Sequence, residues 1–184
     1  MRVALLGAAG TIAPAIVRDL AESSEVTELL LLDLDGDQAA RAAELHGQAK
    51  ATSAAVDATD EDALAAVIAD TDVVVNSASY RINLSVMRAA LAANCNYIDL
   101  GGLYHLTVEQ LWFTDQFAEK NLLALLGAGA GPGKTNVMAA RAARELDTVE
   151  TVRCASAGYD TQPPHGFSTP YALETLIDEI TVPP

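Results

Sequence analysis

The feature that most constrains the fold is an alternation of short apolar runs with amphipathic helical patterns over the first 127 residues. Such alternation is typical of α/β proteins in which a parallel sheet carries helices on both faces. The apolar runs predict six strands, at residues 2–6, 27–33, 54–57, 72–76, 97–100 and 122–126. We therefore expect a Rossmann-type doubly wound parallel sheet, whose carboxyl edge is where such sheets bind ligands.

The first predicted strand leads into a glycine turn that contains five candidate cofactor-binding residues, namely Gly7, Ala9, Gly10, Thr11 and Ile12. Gly7 can adopt the backbone angles of a tight turn, and Gly10 has no side chain to keep the backbone away from a pyrophosphate. The helix that follows directs free N–H groups towards that phosphate. The spacing, Gly-x-x-Gly-x-x-Ala, departs from the usual Gly-x-Gly-x-x-Gly, and the glycines alone also fit an ordinary turn. Their position between a strand and a helix favours a dinucleotide site.

An acidic residue, Asp33, ends the second predicted strand at the distance that the dinucleotide fingerprint requires. Its carboxylate can accept a hydrogen bond from a ribose 2′-hydroxyl and repels a 2′-phosphate. The nearest arginine that follows is Arg41. These residues predict NAD as the cofactor in preference to NADP, unless Asp35 or a bound cation reshapes the site.

Polar residues at the ends of the third and fourth strands are further candidates for cofactor contacts. Asp57 is placed to reach the adenine ring, but it also fits a helix cap together with Thr59 and Asp60. The fourth strand ends on small polar groups expected beside the pyrophosphate and the nicotinamide ribose, in the segment Asn76-Ser77-Ala78.

Candidate catalytic residues follow the fifth strand, where side chains of this fold usually reach the reacting groups. Tyr104 and His105 are candidates for proton transfer or substrate contact, and Lys134 and Tyr80 are further candidates of the same kind. A single histidine is more often structural, so this alternative stays open for His105.

A second glycine-rich segment, residues 128–135, fits a relaxed form of the phosphate loop of nucleotide hydrolases. It follows the sixth strand and not the first, and Pro132 removes one of the N–H donors that such a loop needs. The alternative interpretation is an interdomain turn beside the cofactor.

Composition limits the classes of partner. The chain has 184 residues, with 25 acidic against 11 basic side chains and a net charge of −14, which disfavours nucleic acid and anionic membranes. No apolar run approaches the roughly 20 residues that span a bilayer, and no secretory signal precedes the first strand. We therefore expect a cytoplasmic protein. Cys95 and Cys154 lack metal-ligand spacing and are interpreted as buried thiols, and no metal site is predicted.

The pattern changes after residue 133. It predicts a helix over 136–146, a half-buried strand over 150–157, a turn-rich stretch over 158–170 and an amphipathic helix over 171–180. We divide the chain into a dinucleotide-binding domain, 1–133, and the incomplete start of a second, α+β domain, 134–184. Because an unpaired strand around Val152 needs to be covered, this division also predicts a homo-oligomer or a continuation of the chain.

Four segments together resemble the N-terminal part of the saccharopine dehydrogenase family, including its lysine-dehydrogenase-like members: the glycine turn, residues 72–76, 96–103 and 129–137. The resemblance implies a nicotinamide-dependent oxidoreductase that acts on a carbon–nitrogen bond of a small amino acid or amine. Hydride then moves to the nicotinamide, and water hydrolyses the resulting imine. Members of this family are longer, so the chain is expected to supply chiefly the cofactor-binding portion. The alternatives are a non-catalytic dinucleotide-binding or regulatory module and a phosphate-loop nucleotide hydrolase.

Overall fold

A computed structural model describes residues 1–155, 157, 161 and 173–181 of the chain. Six strands are present in this part, with bounds β1 Arg2–Leu6, β2 Glu28–Asp33, β3 Ala51–Ala55, β4 Val73–Asn76, β5 Asn96–Asp99 and β6 Ala124–Leu125. They form one sheet in the order β3-β2-β1-β4-β5-β6, and every neighbouring pair is parallel. This confirms the predicted Rossmann-type α/β fold.

The described helices are α1 Ala13–Glu22, α2 Gly36–His46, α3 Glu61–Val67, α4 Asn83–Ala93, α5 Tyr104–Leu111, α6 Thr114–Glu119, α7 Lys134–Ala143 and α8 Leu173–Thr181. Two apolar clusters fill the space between sheet and helices. Val17 of α1 and Ala39 of α2 belong to one cluster, whereas Leu64 of α3, Val86 of α4 and Phe117 of α6 belong to the other. The sheet is therefore covered on both faces, as its apolar strands require.

The strand order positions the candidate site. β1 lies between β2 and β4, so the chain changes direction across the sheet at β1, and such a switch point opens a crevice at the carboxyl edge. The register pairs Leu6 with both Leu32 and Asn76, and Asn76 with Asp99. The residues that follow these strands consequently emerge at one level of the same edge.

Two predicted strands differ from the structure. β3 begins and ends earlier than the predicted 54–57. Its residues form no apolar run, and pairing with β2 along Leu29–Asp33 sets its bounds. The predicted strand over 150–157 is irregular at 150–155 and 157, its described residues, and the Val152 side chain is 57% exposed. Among the described strands none pairs with this segment, and a strand without a partner is not stable.

The remaining C-terminal predictions are met in part. The helix predicted over 136–146 is α7, and the one predicted over 171–180 is α8. Most of the turn-rich stretch 158–170 lies outside the described residues, and the division of the chain at 133/134 stays a prediction. Cys95 is buried, and burial raises the pKa of its thiol, whereas Cys154 is exposed and the prediction of a buried thiol is wrong there. Of the described helices, none is long and apolar enough to span a bilayer.

Candidate dinucleotide-binding site

The glycine turn connects β1 to α1 and is attached to the end of β2. The N–H groups of Gly7 and Ala8 both donate to the Leu32 carbonyl, at 2.9 and 3.1 Å. Gly7 has a φ of +87°, and a Cβ added there would lie 2.6 Å from the Ala78 nitrogen. Only glycine satisfies both the backbone angle and this close approach. The turn is therefore fixed from two sides, by β2 and by the segment that follows β4.

The first turn of α1 is left open for an anion. No side chain caps it and no acidic residue lies in its first turn, whereas Asp35 caps α2 and Asp60 caps α3. Within residues 1–155, the N–H groups of Thr11 and Ile12 have no acceptor, and both residues are exposed. Unpaired N–H groups at the positive end of a helix dipole bind phosphate, so the turn has the chemistry of a pyrophosphate site.

Asp33 extends this site beyond the turn. Its carboxylate accepts the N–H of Ala9 at 2.8 Å and that of Asp35 at 3.1 Å, which holds the acid beside the glycine turn. The adjoining open depression, of about 710 Å³, is lined by Asp33, Leu34, Asp35, Gly36, Asp37 and Ala55. Its lining includes three carboxylates and no lysine or arginine. A ribose placed here meets hydrogen-bond acceptors, and a phosphate meets like charge.

Asp57 follows β3 and lies next to this depression, because the Val56 N–H donates to the Asp33 carbonyl at 2.9 Å. The exposed Asp57 carboxylate accepts from both the N–H and the hydroxyl of Thr59, at 2.9 and 2.7 Å, and these bonds lower its pKa. The cap of α3 is Asp60. Asp57 thus shapes the turn before the helix, and its contact with adenine stays a prediction.

Asn76 and Ser77 are buried, and their side chains bond to other groups of the protein. The buried Asn76 side chain donates to Asn83 at 2.7 Å and accepts the N–H of Ala78 at 3.1 Å. The Ser77 hydroxyl donates to the Leu6 carbonyl at 2.8 Å. These bonds hold Ala78 against Gly7. Direct contact of Asn76, Ser77 or Ala78 with a cofactor stays a prediction, and their observed partners make them supports of the turn.

The most extensive polar group at this edge was not predicted from the sequence. We call it the Asp99 cluster, and it consists of the buried residues Asn83, Tyr97, Asp99 and Gln110. The Asp99 carboxylate accepts from Tyr97 at 2.9 Å, from Gln110 at 2.7 Å, and from Asn83 at 3.3 Å. Burial, and then the neighbouring Asp99 carboxylate, raise the pKa of Tyr97, so its phenol remains a donor. The available signal was the spacing of Tyr97 and Asp99, which are two residues apart and therefore lie on one face of β5.

The Asp99 cluster holds two loops. The second oxygen of the Asp99 carboxylate accepts the N–H of Gly101 at 2.8 Å and that of Gly127 at 2.7 Å. Pro132 lies against both glycines, since a Cβ on either would be 2.8 to 3.0 Å from its ring. The loops after β5 and β6 are thereby joined to each other and to the interior.

Four N–H groups of the segment 128–135 are bonded to protein acceptors, those of Ala128, Gly133, Lys134 and Thr135. Lys134 and Thr135 donate to the carbonyls of Gly129 and Ala130, at 2.9 and 3.1 Å, and the Ala128 N–H donates to the backbone carbonyl of Asp99 at 2.7 Å. A phosphate loop instead directs such groups at its ligand. The geometry favours the interpretation of this segment as a turn.

The predicted catalytic residues do not form one group. Tyr104 and His105 begin α5 and are exposed, with 77% of Tyr104 accessible, and Lys134 begins α7 and is also exposed. Among the described residues, none of the three has a side-chain hydrogen bond or ion pair that holds it in place. Their catalytic role stays a prediction.

A doubly wound sheet with a glycine turn after β1 and an acid after β2 defines the class: a nicotinamide dinucleotide-binding Rossmann domain. Residues 3–125 match the family model described as the saccharopine dehydrogenase NADP binding domain. The chain belongs to the saccharopine dehydrogenase family, a family of oxidoreductases, as its sequence motifs indicated.

Several proteins are similar to this chain. Carboxynorspermidine synthase of Vibrio alginolyticus is 32% identical over 147 residues, which cover 71% of this chain and 34% of the relative. Carboxyaminopropylagmatine dehydrogenase of Synechocystis is 29% identical over 192 residues, covering 98% and 47%. Apo saccharopine dehydrogenase (L-Glu forming) of Saccharomyces cerevisiae superposes with a TM-score of 0.69 at 22% identity, over 78% of this chain and 31% of the yeast chain, and shows the common fold. The chain thus spans 34–47% of the length of these two curated relatives.

Proposed function

We propose that the crevice at the carboxyl edge binds NAD in preference to NADP, and that the chain is the cofactor-binding part of an oxidoreductase acting on a carbon–nitrogen bond of an amino acid or amine. The observation that carries the cofactor preference is the lining of the depression beside Asp33, with three carboxylates and no basic residue. The family model is named for NADP. The preference for NAD is therefore a property that we ascribe to the residues of this chain.

The residues of the chain divide the binding task. The amides of Thr11 and Ile12 are positioned to hold a pyrophosphate, and Asp33 to accept from an adenosine ribose. When bound, a nicotinamide supplies the hydride acceptor for oxidation of the amine-bearing carbon. Tyr104, His105 and Lys134 remain our candidates for moving the proton of the amine.

The assignment to amine chemistry is supported by the family and by the names of its relatives. The Synechocystis relative is a dehydrogenase of carboxyaminopropylagmatine, and the yeast structure is a saccharopine dehydrogenase. Both names describe compounds with carbon–nitrogen bonds. We extend this class of substrate to the present chain.

Two titrations and one assay test the proposal. Nicotinamide fluorescence should report saturable binding of NADH, and ATP with magnesium should not displace it. A panel of amino acids and amines should then show reduction of NAD that depends on the amine. Absence of an NADH signal would contradict the proposal, and displacement by ATP would favour the phosphate-loop alternative.

A second candidate function is a non-catalytic dinucleotide-binding module. The exposure of Tyr104, His105 and Lys134 favours it, because catalytic side chains are usually held by neighbouring groups. NADH binding without amine-dependent reduction would identify this function.

We also propose that the protein is cytoplasmic and that it forms a homo-oligomer. The strand around Val152 that motivated the oligomer is irregular in its described residues, so this segment no longer supports the oligomer, which stays a prediction. Light scattering decides this point: a mass that is a multiple of 19.2 kDa supports the oligomer, and a monodisperse monomer contradicts it.

A further inference from the structure

A second polar constellation lies at the carboxyl edge, away from the glycine turn. Tyr80 and Arg81 follow β4, and their side chains both donate to one oxygen of the Asp178 carboxylate, on α8. These partners are 98 and 97 residues apart in the chain. The contact therefore brings α8 to the edge at which the cofactor crevice opens.

The position of Tyr80 relates this contact to the crevice. Ala78, two residues earlier, packs against Gly7 of the glycine turn, and a Cβ on Gly102 would lie 2.9 Å from the Cβ of Tyr80. Tyr80 thus belongs to the loop after β4 and packs against the loop after β5. Ligands of doubly wound sheets bind in the crevice at the carboxyl ends of the strands, and Tyr80 follows β4 at that edge.

The two donors form a receptor for a carboxylate. The Arg81 guanidinium carbon lies 5.4 Å from the centre of the Tyr80 ring, a cation–π distance that keeps the phenol and the guanidinium together. A phenol and a guanidinium that converge on one oxygen supply charge-assisted hydrogen bonds, which prefer carboxylate over neutral groups. The chemistry of the pair does not depend on whether the carboxylate belongs to the protein or to a ligand.

The exposure and the pKa of Asp178 show which form of a carboxylate Tyr80 and Arg81 bind. The Asp178 side chain is 13% exposed, whereas that of Arg81 is 59% exposed, so the acid is covered while the base still reaches solvent. The hydrogen bond from Tyr80, followed by the one from Arg81, lowers the pKa of Asp178. Tyr80 and Arg81 therefore stabilise the ionised form of the carboxylate that they bind.

We propose that Tyr80 and Arg81 form the subsite that binds the carboxylate of an amino-acid substrate, and that Asp178 occupies this subsite until a substrate displaces it. This inference rests on the proposed function, because it locates one group of the proposed substrate. A substrate cannot bind to the subsite while Asp178 occupies it. The apparent affinity for substrate is therefore the intrinsic affinity multiplied by the fraction of molecules in which the subsite is free. Removal of Asp178 should consequently strengthen substrate binding, which a purely structural ion pair would not do.

The test compares two probes that differ by one carboxylate, L-norvaline and butylamine, in calorimetric titrations of the protein saturated with NADH. Asp178→Asn should bind L-norvaline about fivefold more tightly than wild type and leave butylamine binding unchanged. Arg81→Ala should abolish the preference for L-norvaline over butylamine, and Tyr80→Phe, which removes only the hydroxyl, should reduce it. Arg88→Ala is the matched control, since Arg88 forms an exposed ion pair with Glu61 and should leave both affinities unchanged.

The outcomes separate this inference from the proposed function. Loss of NADH fluorescence would count against the cofactor site, whatever L-norvaline does. Normal NADH binding together with equal L-norvaline affinity in wild type, Asp178→Asn and Arg81→Ala would overturn the subsite, as would failure of Asp178→Asn to bind L-norvaline. Circular dichroism of each variant identifies loss of folding. If Arg81→Ala does not fold, Tyr80→Phe decides the question on its own.

Discussion

At the ends of β1 and β2, polar groups face solvent, namely the amides of Thr11 and Ile12 and the depression beside Asp33. At the ends of β4 to β6, by contrast, the carboxylate of Asp99 is buried among protein donors. Both regions lie on the same edge of the same sheet. The first keeps polar groups available, and the second uses them to join loops. The carboxyl edge thus combines a binding half with a supporting half, and polar residue types alone do not distinguish them.

The largest expected effect concerns the supporting half. Asp99→Ala removes the acceptor shared by two backbone amides and by the side chains of Tyr97 and Gln110. Since each buried donor left without a partner costs about 1–3 kcal/mol, we expect the free energy of unfolding to fall by roughly 4 kcal/mol or more. Urea denaturation measures this loss. Asp147→Ala, at an exposed position, is the control and should change the stability by less than about 0.5 kcal/mol.

A fall in the free energy of unfolding of less than about 1 kcal/mol in Asp99→Ala would remove the distinction between the two halves. The Asp99 cluster would then stabilise the fold no more than a single surface contact does.

The next effect concerns the junction of the two halves. Gly7→Ala places a Cβ at a φ of +87° and 2.6 Å from the Ala78 nitrogen. Backbone strain and overpacking cost about 1–3 kcal/mol each, so we expect a destabilisation of roughly 2–4 kcal/mol and a loss of NADH binding. Gly131→Ala is matched to it, because a Cβ there meets its nearest atom at 3.7 Å. Equal behaviour of the two variants in thermal unfolding would argue against the close approach.

A smaller effect sharpens the description of the binding half. Asp33→Ala removes the proposed ribose acceptor and should weaken NADH binding about tenfold, while NADPH binding should weaken less or improve. Asp37→Ala, in the lining of the same depression, should change either affinity by about twofold at most. Unchanged affinity for NADH in Asp33→Ala would remove the cofactor assignment.

The smallest effect concerns the rim of the binding half. The bonds from Thr59 lower the pKa of Asp57, so their contribution to stability is present above the pKa of the unfolded chain and is lost as the pH falls through the folded value. Thr59→Ala should therefore raise the pKa of Asp57 towards its ordinary value. A carboxyl-carbon NMR titration measures the shift, and an unchanged pKa would show that the Thr59 hydroxyl does not hold the Asp57 carboxylate.

The sequence predicts the binding half well because its signals are local. The glycine turn, the apolar run that ends on Asp33 and the helix after Ile12 fall within one stretch of 33 residues, and strand periodicity finds most of the sheet. By contrast, β3 is shifted from its predicted bounds since pairing with β2, and not its own composition, sets its ends.

The supporting half was missed because its partners are distant in sequence. Asp99 is 11 residues from Gln110 and 28 from Gly127, and only the folded sheet brings these groups to one carboxylate. Asp178 is 98 residues from Tyr80, and no periodic pattern connects them. The alternating pattern around Val152 wrongly predicted a strand for a related reason. A strand needs a neighbouring strand to pair with, and the sequence of the segment does not specify that neighbour.

We propose that the turn after β1 is the cofactor site and that the glycine-rich segment after β6 is not. Amide chemical shifts recorded during a titration with NAD test it most directly. We expect saturable shifts that are largest for Thr11, Ile12 and the residues beside Asp33, with smaller changes at Gly101 and Gly127. The largest shifts at residues 129–135, or no saturable shift at all, would contradict it.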